Sequence, residues 1–204
     1  MKDAKQFWDR TAARYAKSSI RDMASYEKKL AITQEYFHPD WKVLEFGCGS
    51  GGTAIIHAPF VGQMVATDIS DKMLDIARRK AKDAGVENIT FRQGTLDSLE
   101  FEDASFDAVL GLNILHLLEN VEGALSRVYR LLKPGGVFVS STALVSDMNV
   151  VWRLVIPLMQ SVGLAPYVNR LGRDDLLSRL TEAGFKIDKE WQPGKDSIFI
   201  VAKK

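Results

Sequence analysis

Residues 43–52 read Val43-Leu44-Glu45-Phe46-Gly47-Cys48-Gly49-Ser50-Gly51-Gly52, and few folds accommodate such a run. Three apolar residues around one acid, bounded by Trp41 and Gly47, predict a short strand covered on both faces of a parallel sheet, where alternation is lost. The glycines then turn the chain sharply. Lacking side chains, they let backbone N–H groups approach a ligand, and Thr53 to Ala58 can start a helix whose positive end faces it. Gly47, Gly49 and Gly52 fit G-x-G-x-x-G, the dinucleotide fingerprint, whereas Gly47, Gly49 and Gly51 fit G-x-G-x-G. Glu45 separates the two patterns, because a carboxylate at the mouth of the strand repels a pyrophosphate and attracts an ammonium group. The expected ligand carries an amine.

With these residues the chain resembles the class I S-adenosylmethionine-dependent methyltransferases, specifically the small bacterial group labelled methyltransferase type 11. The acid-x-G-x-G-x-G hallmark is Glu45-Phe46-Gly47-Cys48-Gly49-Ser50-Gly51, and the resemblance runs from about Phe7 to Ala143. It implies a Rossmann-like, doubly wound, seven-stranded and mainly parallel α/β sheet. An antiparallel C-terminal strand, helices on both faces and an N-terminal helical lid complete that expectation. It also implies S-adenosylmethionine as cofactor and S-adenosylhomocysteine as product.

Helices are expected from Asp3 to about Lys17 and from Met23 to Phe37, the second ended by His38-Pro39, since a residue before proline leaves the α region. In the family this segment covers the cofactor, and Tyr15 touches its methionine part. The plainer reading is that Phe7, Trp8 and Tyr15 pack the helix down. A second strand, Gln63 to Ile69, ends in Asp68, in the crevice where ligands of open α/β sheets bind. Its carboxylate can accept hydrogen bonds from both ribose hydroxyls, and Ser70 leaves it free by serving as the N-cap of the next helix. Ile69 and Met73 then flank the adenine.

Asn88 to Gln93 reads as a third strand, followed by Gly94-Thr95-Leu96. The family commonly places an adenine-binding acid after that glycine; here the Thr95 hydroxyl or the Leu96 N–H must serve. Phe101 to Gly111 leads into a fourth strand that ends at Leu112-Asn113-Ile114-Leu115-His116, where the family keeps residues beside the transferred methyl. Asn113 is expected to line the cofactor's methionine end or to orient the acceptor. His116 is the candidate general base, with an ordinary pKa of about 6.5, and its alternative is a packed or capping role. Cys48 lies in the cofactor cradle as apolar filler.

Lys133-Pro134-Gly135-Gly136 breaks a helix, Val121 to Leu132, and turns into a fifth strand, Val137 to Ser141. Gly172 to Ala183 predicts the last helix. Phe185 to Trp191 and Ser197 to Ala202 predict a hairpin, and two strands without a helix between them speak against a hydride-transfer dehydrogenase. From Leu144 to Leu171 the family pattern fades. The apolar run Asn149 to Met159, interrupted by Arg153 and Pro157, covers the sheet, walls the acceptor pocket or touches lipid.

The division expected is a single domain: a lid (1–39), a cofactor-binding core (40–143), a covering or acceptor-pocket segment (144–171), and a last helix with a strand hairpin (172–204). Lys plus Arg number 27 against 26 Asp plus Glu, a net charge of +1, so no long-range field recruits nucleic acid. Cys48 is the only cysteine, which excludes an internal disulfide and suits a reducing cytoplasm. The N-terminus shows no secretory pattern, and no apolar run approaches the ~18 residues of a membrane span. The three histidines are too scattered for a metal-ligand pattern. The function expected is methyl transfer to a small-molecule or lipid-like acceptor, and the alternative is a non-catalytic or regulatory protein that binds the same cofactor.

Overall fold

A computed structural model describes residues 2–161 and 163–204; the side chains of residues 2, 3, 150 and 152–154 fall outside the description. Seven strands form one sheet: β1 (Lys42–Phe46), β2 (Gln63–Asp68), β3 (Ile89–Gln93), β4 (Phe106–Leu112), β5 (Leu132–Ala143), β6 (Lys186–Gly194) and β7 (Ser197–Lys203). Their spatial order is β3-β2-β1-β4-β5-β7-β6, and β7 alone runs against the rest. The chain reverses direction in the sheet between β1 and β4, which opens a crevice above their carboxyl ends. This is the doubly wound sheet that the resemblance implies.

Burial follows from register. Val43, Met64, Ala108, Leu110, Val139 and Phe199 fall on one face, where α2 (Met23–Gln34), α3 (Gly52–His57) and α4 (Asp71–Asp83) cover them through Ile32, Ala54 and Leu74. Leu44, Val65, Val109, Phe138 and Ile200 fill the other face. There α5 (Val121–Leu131) and α7 (Arg173–Glu182) pack Leu125, Val128, Leu176 and Leu180 against them. Each fully buried aliphatic side chain contributes about 1.5–3 kcal/mol relative to exposure, so the two layers fix which way every strand faces.

Helix α4 shows how local sequence sets an element. Ser70 caps it by accepting from the Met73 N–H at 3.1 Å, and Asp71 in the first turn complements the helix dipole. Met73, Leu74, Ala77 and Ala81 recur at helical spacing and are buried. Past the end, Gly85 takes the left-handed φ of 66°.

Two boundaries differ from the sequence expectation. The second helix stops at Gln34 instead of Phe37. The Lys-Pro-Gly-Gly turn lies inside β5 as a bulge, with Leu132 opposite Phe106 and Val137 opposite Ala108.

The run Asn149 to Met159 forms α6 (Val150–Ser161). Val151 and Leu158 are 58% and 66% exposed, whereas Leu144, Val145 and Leu171 at the ends of the segment are buried. The Trp152, Arg153 and Leu154 side chains lie outside the described residues. No helix among the described residues is long and apolar enough to cross a membrane.

The N-terminal helix α1 (Lys2–Ala16) is fastened to the first turn of α4. Asp9 Oδ1 accepts from Ser70 Oγ at 2.7 Å and from the Lys72 N–H at 3.3 Å, while Lys5 pairs with Asp9 and Asp71. Next to Asp9, Arg10 donates to the Gly163 carbonyl at 2.7 Å. Asp9→Ala should therefore loosen α1 without disturbing the sheet, and amide exchange of α1 is expected to quicken roughly fivefold to tenfold, about one hydrogen bond's worth. Equal acceleration in the central strands would show that Asp9 serves global stability instead.

Candidate active site

Two cavities meet above the carboxyl ends of the strands. The first, about 380 Å³, is bounded by the glycine turn, the ends of β2 and β4, and α1. Tyr15, Gly47, Gly49, Asp68, Ile69, Met73, Gly94, Thr95, Leu96 and Asn113 all border it. The sequence reading, together with the family resemblance, names these same residues as a candidate cofactor site. Two other expected residues lie elsewhere: Cys48 borders the second cavity, and Glu45 borders neither but is buried beside the turn.

The glycine turn resolves the ambiguity between the two patterns. Gly47, Gly49 and Gly51 take φ values of 67°, 53° and 76°, the left-handed region that L side chains avoid, whereas Gly52 does not. A Cβ at Gly51 would meet the Ala77 Cβ at 2.7 Å, whereas one at Gly52 would meet nothing within 4 Å. The backbone therefore demands glycine at the positions of G-x-G-x-G and tolerates a side chain at the last position of the dinucleotide fingerprint. At Gly49 a Cβ would reach only Tyr15, at 3.7 Å, so the space over the turn is open toward the cavity.

The two strand-end acids share a face of the sheet. Glu45 stands opposite Ala66, and Asp68 follows Ala66 by two residues, so both side chains project to the same side. Asp68 accepts from the Gly49 N–H through Oδ2 and from the Ser70 N–H through Oδ1, both at 2.8 Å. Each oxygen keeps a lone pair for a ligand hydroxyl. Burial holds the Asp68 carboxyl above its usual range against those two donors.

Glu45 Oε2 is buried and has no hydrogen-bond partner among the described residues. Burial, reinforced by the Asp68 charge, pushes its pKa up to about 8. The same two acids, after burial itself, raise the Cys48 thiol well above its ordinary value. A buried carboxyl without a hydrogen-bond partner favours a cation beside it.

This has a pH consequence. Between the unfolded value of 4.5 and about 8 the folded protein holds the Glu45 proton that the unfolded chain has released, so stability falls as pH rises, by about 1.4 kcal/mol per unit. His57 and His116, which burial lowers to about 4, act oppositely, but only below the ordinary histidine value of 6.5. From pH 6.5 to 8 Glu45 dominates, and the ligand-free protein should lose roughly 2 kcal/mol in urea titrations. Glu45→Gln should flatten that slope; an undiminished slope would place its origin elsewhere.

His116 sits in a short 3-10 turn, Leu115–Leu117, rather than on a cavity wall. Its Nδ1 lies 3.0 Å from Thr142 Oγ1, and its N–H donates to the same oxygen. The turn it belongs to begins at Asn113, which takes a φ of 57° and donates its N–H to the Ser141 carbonyl at 2.6 Å. Thr95 is engaged with Ser98 in a local turn.

Sequence reasoning missed Trp8, Ile114 and Tyr167 as walls of the first cavity. Trp8 carried a signal, its helical spacing with Tyr15, and the two rings meet edge to face at 5.8 Å. Tyr167 carried none, because its segment follows no pattern. The second cavity, about 510 Å³, was not foreseen; Lys29, Tyr26, Thr53 and Ser141 border it, and Tyr15, Leu112 and Asn113 border both cavities.

Residues 44–140 match a methyltransferase-domain family. Among curated relatives, an uncharacterised methyltransferase, YcgJ of Bacillus subtilis, is 38% identical over 98 residues, 48% of this chain and 39% of that protein. A demethylmenaquinone methyltransferase of Symbiobacterium thermophilum is 28% identical over 169 residues, 76% of this chain and 67% of its own length. The match to the Bacillus relative thus spans about two fifths of that protein's length. The crystal structure of YcgJ superposes with a TM-score of 0.73 at 20% identity, covering 87% of this chain and 98% of that one, and so shares the fold. The glycine turn that demands G-x-G-x-G, the strand order and these matches together support a class I S-adenosylmethionine-dependent methyltransferase family for this chain.

Proposed function

We propose that this chain transfers a methyl group from S-adenosylmethionine to a small-molecule or lipid-like acceptor. The observation that carries the reading is the pairing of Glu45 and Asp68 on one face of the sheet at a left-handed glycine turn, with Asp68 and Tyr15 bordering the same cavity. The residues fit a nucleoside that carries an amino-acid arm on a sulfonium sulfur. The orphaned Glu45 carboxyl suits its ammonium group, Asp68 its ribose hydroxyls, Ile69, Met73 and Leu96 its adenine, and Tyr15 with Asn113 the sulfur end.

The bound donor supplies an activated methyl whose leaving group is a neutral thioether. What remains for the protein is alignment: holding the acceptor in line and excluding water, which alone accounts for a large share of such a barrier. Burial lowers the His116 pKa to about 4, which makes it a weak base, and its Nδ1 is bonded to Thr142, so its fit is to hold the turn that carries Asn113. The relative named for demethylmenaquinone supports an acceptor of that lipid-like class.

Single-turnover incubation with methyl-labelled S-adenosylmethionine and a metabolite extract tests the reading. A labelled product is expected, dependent on intact Asp68. Tight S-adenosylhomocysteine binding with no product from any extract would overturn the transfer activity while leaving the cofactor site standing. Calorimetric preference for NAD would overturn both.

A further inference from the structure

The second cavity is the part of the molecule that the donor site does not use. It joins the first at Tyr15, Leu112 and Asn113, so anything seated in it abuts the junction where a methyl group would be presented. Its bordering charges are unbalanced. Lys29 and Lys80 face it against a single acid, Asp22, whose Oδ1 is occupied in capping α2 through the Ser25 N–H.

Lys29 is the better placed of the two lysines. Its Nζ donates to Ser141 Oγ at 2.9 Å, and the Ser141 carbonyl accepts the Asn113 N–H, so one residue ties the ammonium to the strained turn at the junction. Lys80 Nζ donates to Ser50 Oγ at 3.1 Å. Neither ammonium has a carboxylate within salt-bridge distance among the described residues. Burial lowers the Lys29 pKa, and Asp22 only partly offsets this from a distance. A half-buried ammonium bonded to one neutral hydroxyl retains two N–H donors and an uncompensated desolvation cost, and both are relieved by an anion.

We infer that the second cavity receives the methyl acceptor, that the acceptor bears an anionic group, a carboxylate or a phosphate, and that Lys29 binds this group. The inference rests on the methyl-transfer reading, because only that reading makes the junction at Asn113 the place of reaction. The anion has one competing source, the carboxylate of the donor itself, and the two differ experimentally.

The test uses the full chain loaded with S-adenosylhomocysteine and titrated calorimetrically with benzoate, phenyl phosphate and neutral benzamide. At least one of the anions should bind about tenfold or more tighter than benzamide, the scale of one charge-assisted contact. Lys29→Met should erase that preference and Lys29→Arg should keep it. S-adenosylhomocysteine affinity should stay within about twofold in all three proteins, which also shows that the variants fold. No anion preference in the wild type overturns the inference. So does a Lys29→Met protein that loses S-adenosylhomocysteine affinity but binds 5′-methylthioadenosine normally, since Lys29 then holds the donor's carboxylate. If the wild type binds no S-adenosylhomocysteine at all, the donor reading fails and the inference falls with it.

Discussion

Gly47→Val is expected to unfold or severely loosen the protein, with a loss of about 3 kcal/mol or more. Two costs add. A β-branched residue held at φ 67° bears the left-handed penalty of about 1–2 kcal/mol. Its Cβ would also lie 2.6 Å from Ile114 Cγ1 and 2.7 Å from Ile114 Cδ1, and overpacking of that kind costs a further 1–3 kcal/mol. For a chain of this length the melting temperature should fall by roughly 10 °C. The clash is with Ile114 and not with a ligand, so the loss must appear in ligand-free protein. Gly52→Ala is the contrasting variant: with ordinary φ and open space around its Cβ, it should leave stability within about 1 kcal/mol of wild type, on the favourable side. Equal damage from both substitutions would mean that the turn is built on the dinucleotide spacing after all.

Asp68→Ala should raise the dissociation constant for S-adenosylhomocysteine roughly 30- to 150-fold, the equivalent of the 2–3 kcal/mol attached to hydrogen bonds with a charged group. The same change removes the acceptor for the Gly49 and Ser70 N–H groups, both at 2.8 Å, so the turn itself should soften. Asp68→Asn separates the two effects. Its amide oxygen can still accept from one backbone donor, so the turn should be largely preserved while most of the affinity is lost. An unchanged dissociation constant in either variant, measured calorimetrically, would remove Asp68 from the site.

The parts of this protein legible in its sequence are those governed by neighbours in the chain. Ser70 as N-cap of α4, Gly85 beyond its end, the unbroken apolar strand before Gly47 and the β6–β7 hairpin each depend on a few adjacent residues, and each formed within a few residues of its expected bounds. The apolar run at 149–159 was less legible. Hydrophobic composition marks a segment as able to be buried without saying against what, and Val151 and Leu158 stand exposed on α6. His116 shows the same limit. Its place after β4 is fixed by sequence, whereas the direction of its ring was set by Thr142, 26 residues later.

A backbone that must bend at Gly47, Gly49 and Gly51, with acids two residues before the first bend and at the tip of the next strand, is written in the chain because φ preference and strand alternation act over two or three residues. Which two side chains share a hollow is not so written. Lys29 reaching Ser141 across 112 residues, and Tyr167 closing a wall beside Tyr15, exist only once helices and strands have packed, because those distances depend on every layer between them. The glycine turn and its two acids could thus be read from the amino acids in order, while the charged hollow beside them came from folding alone.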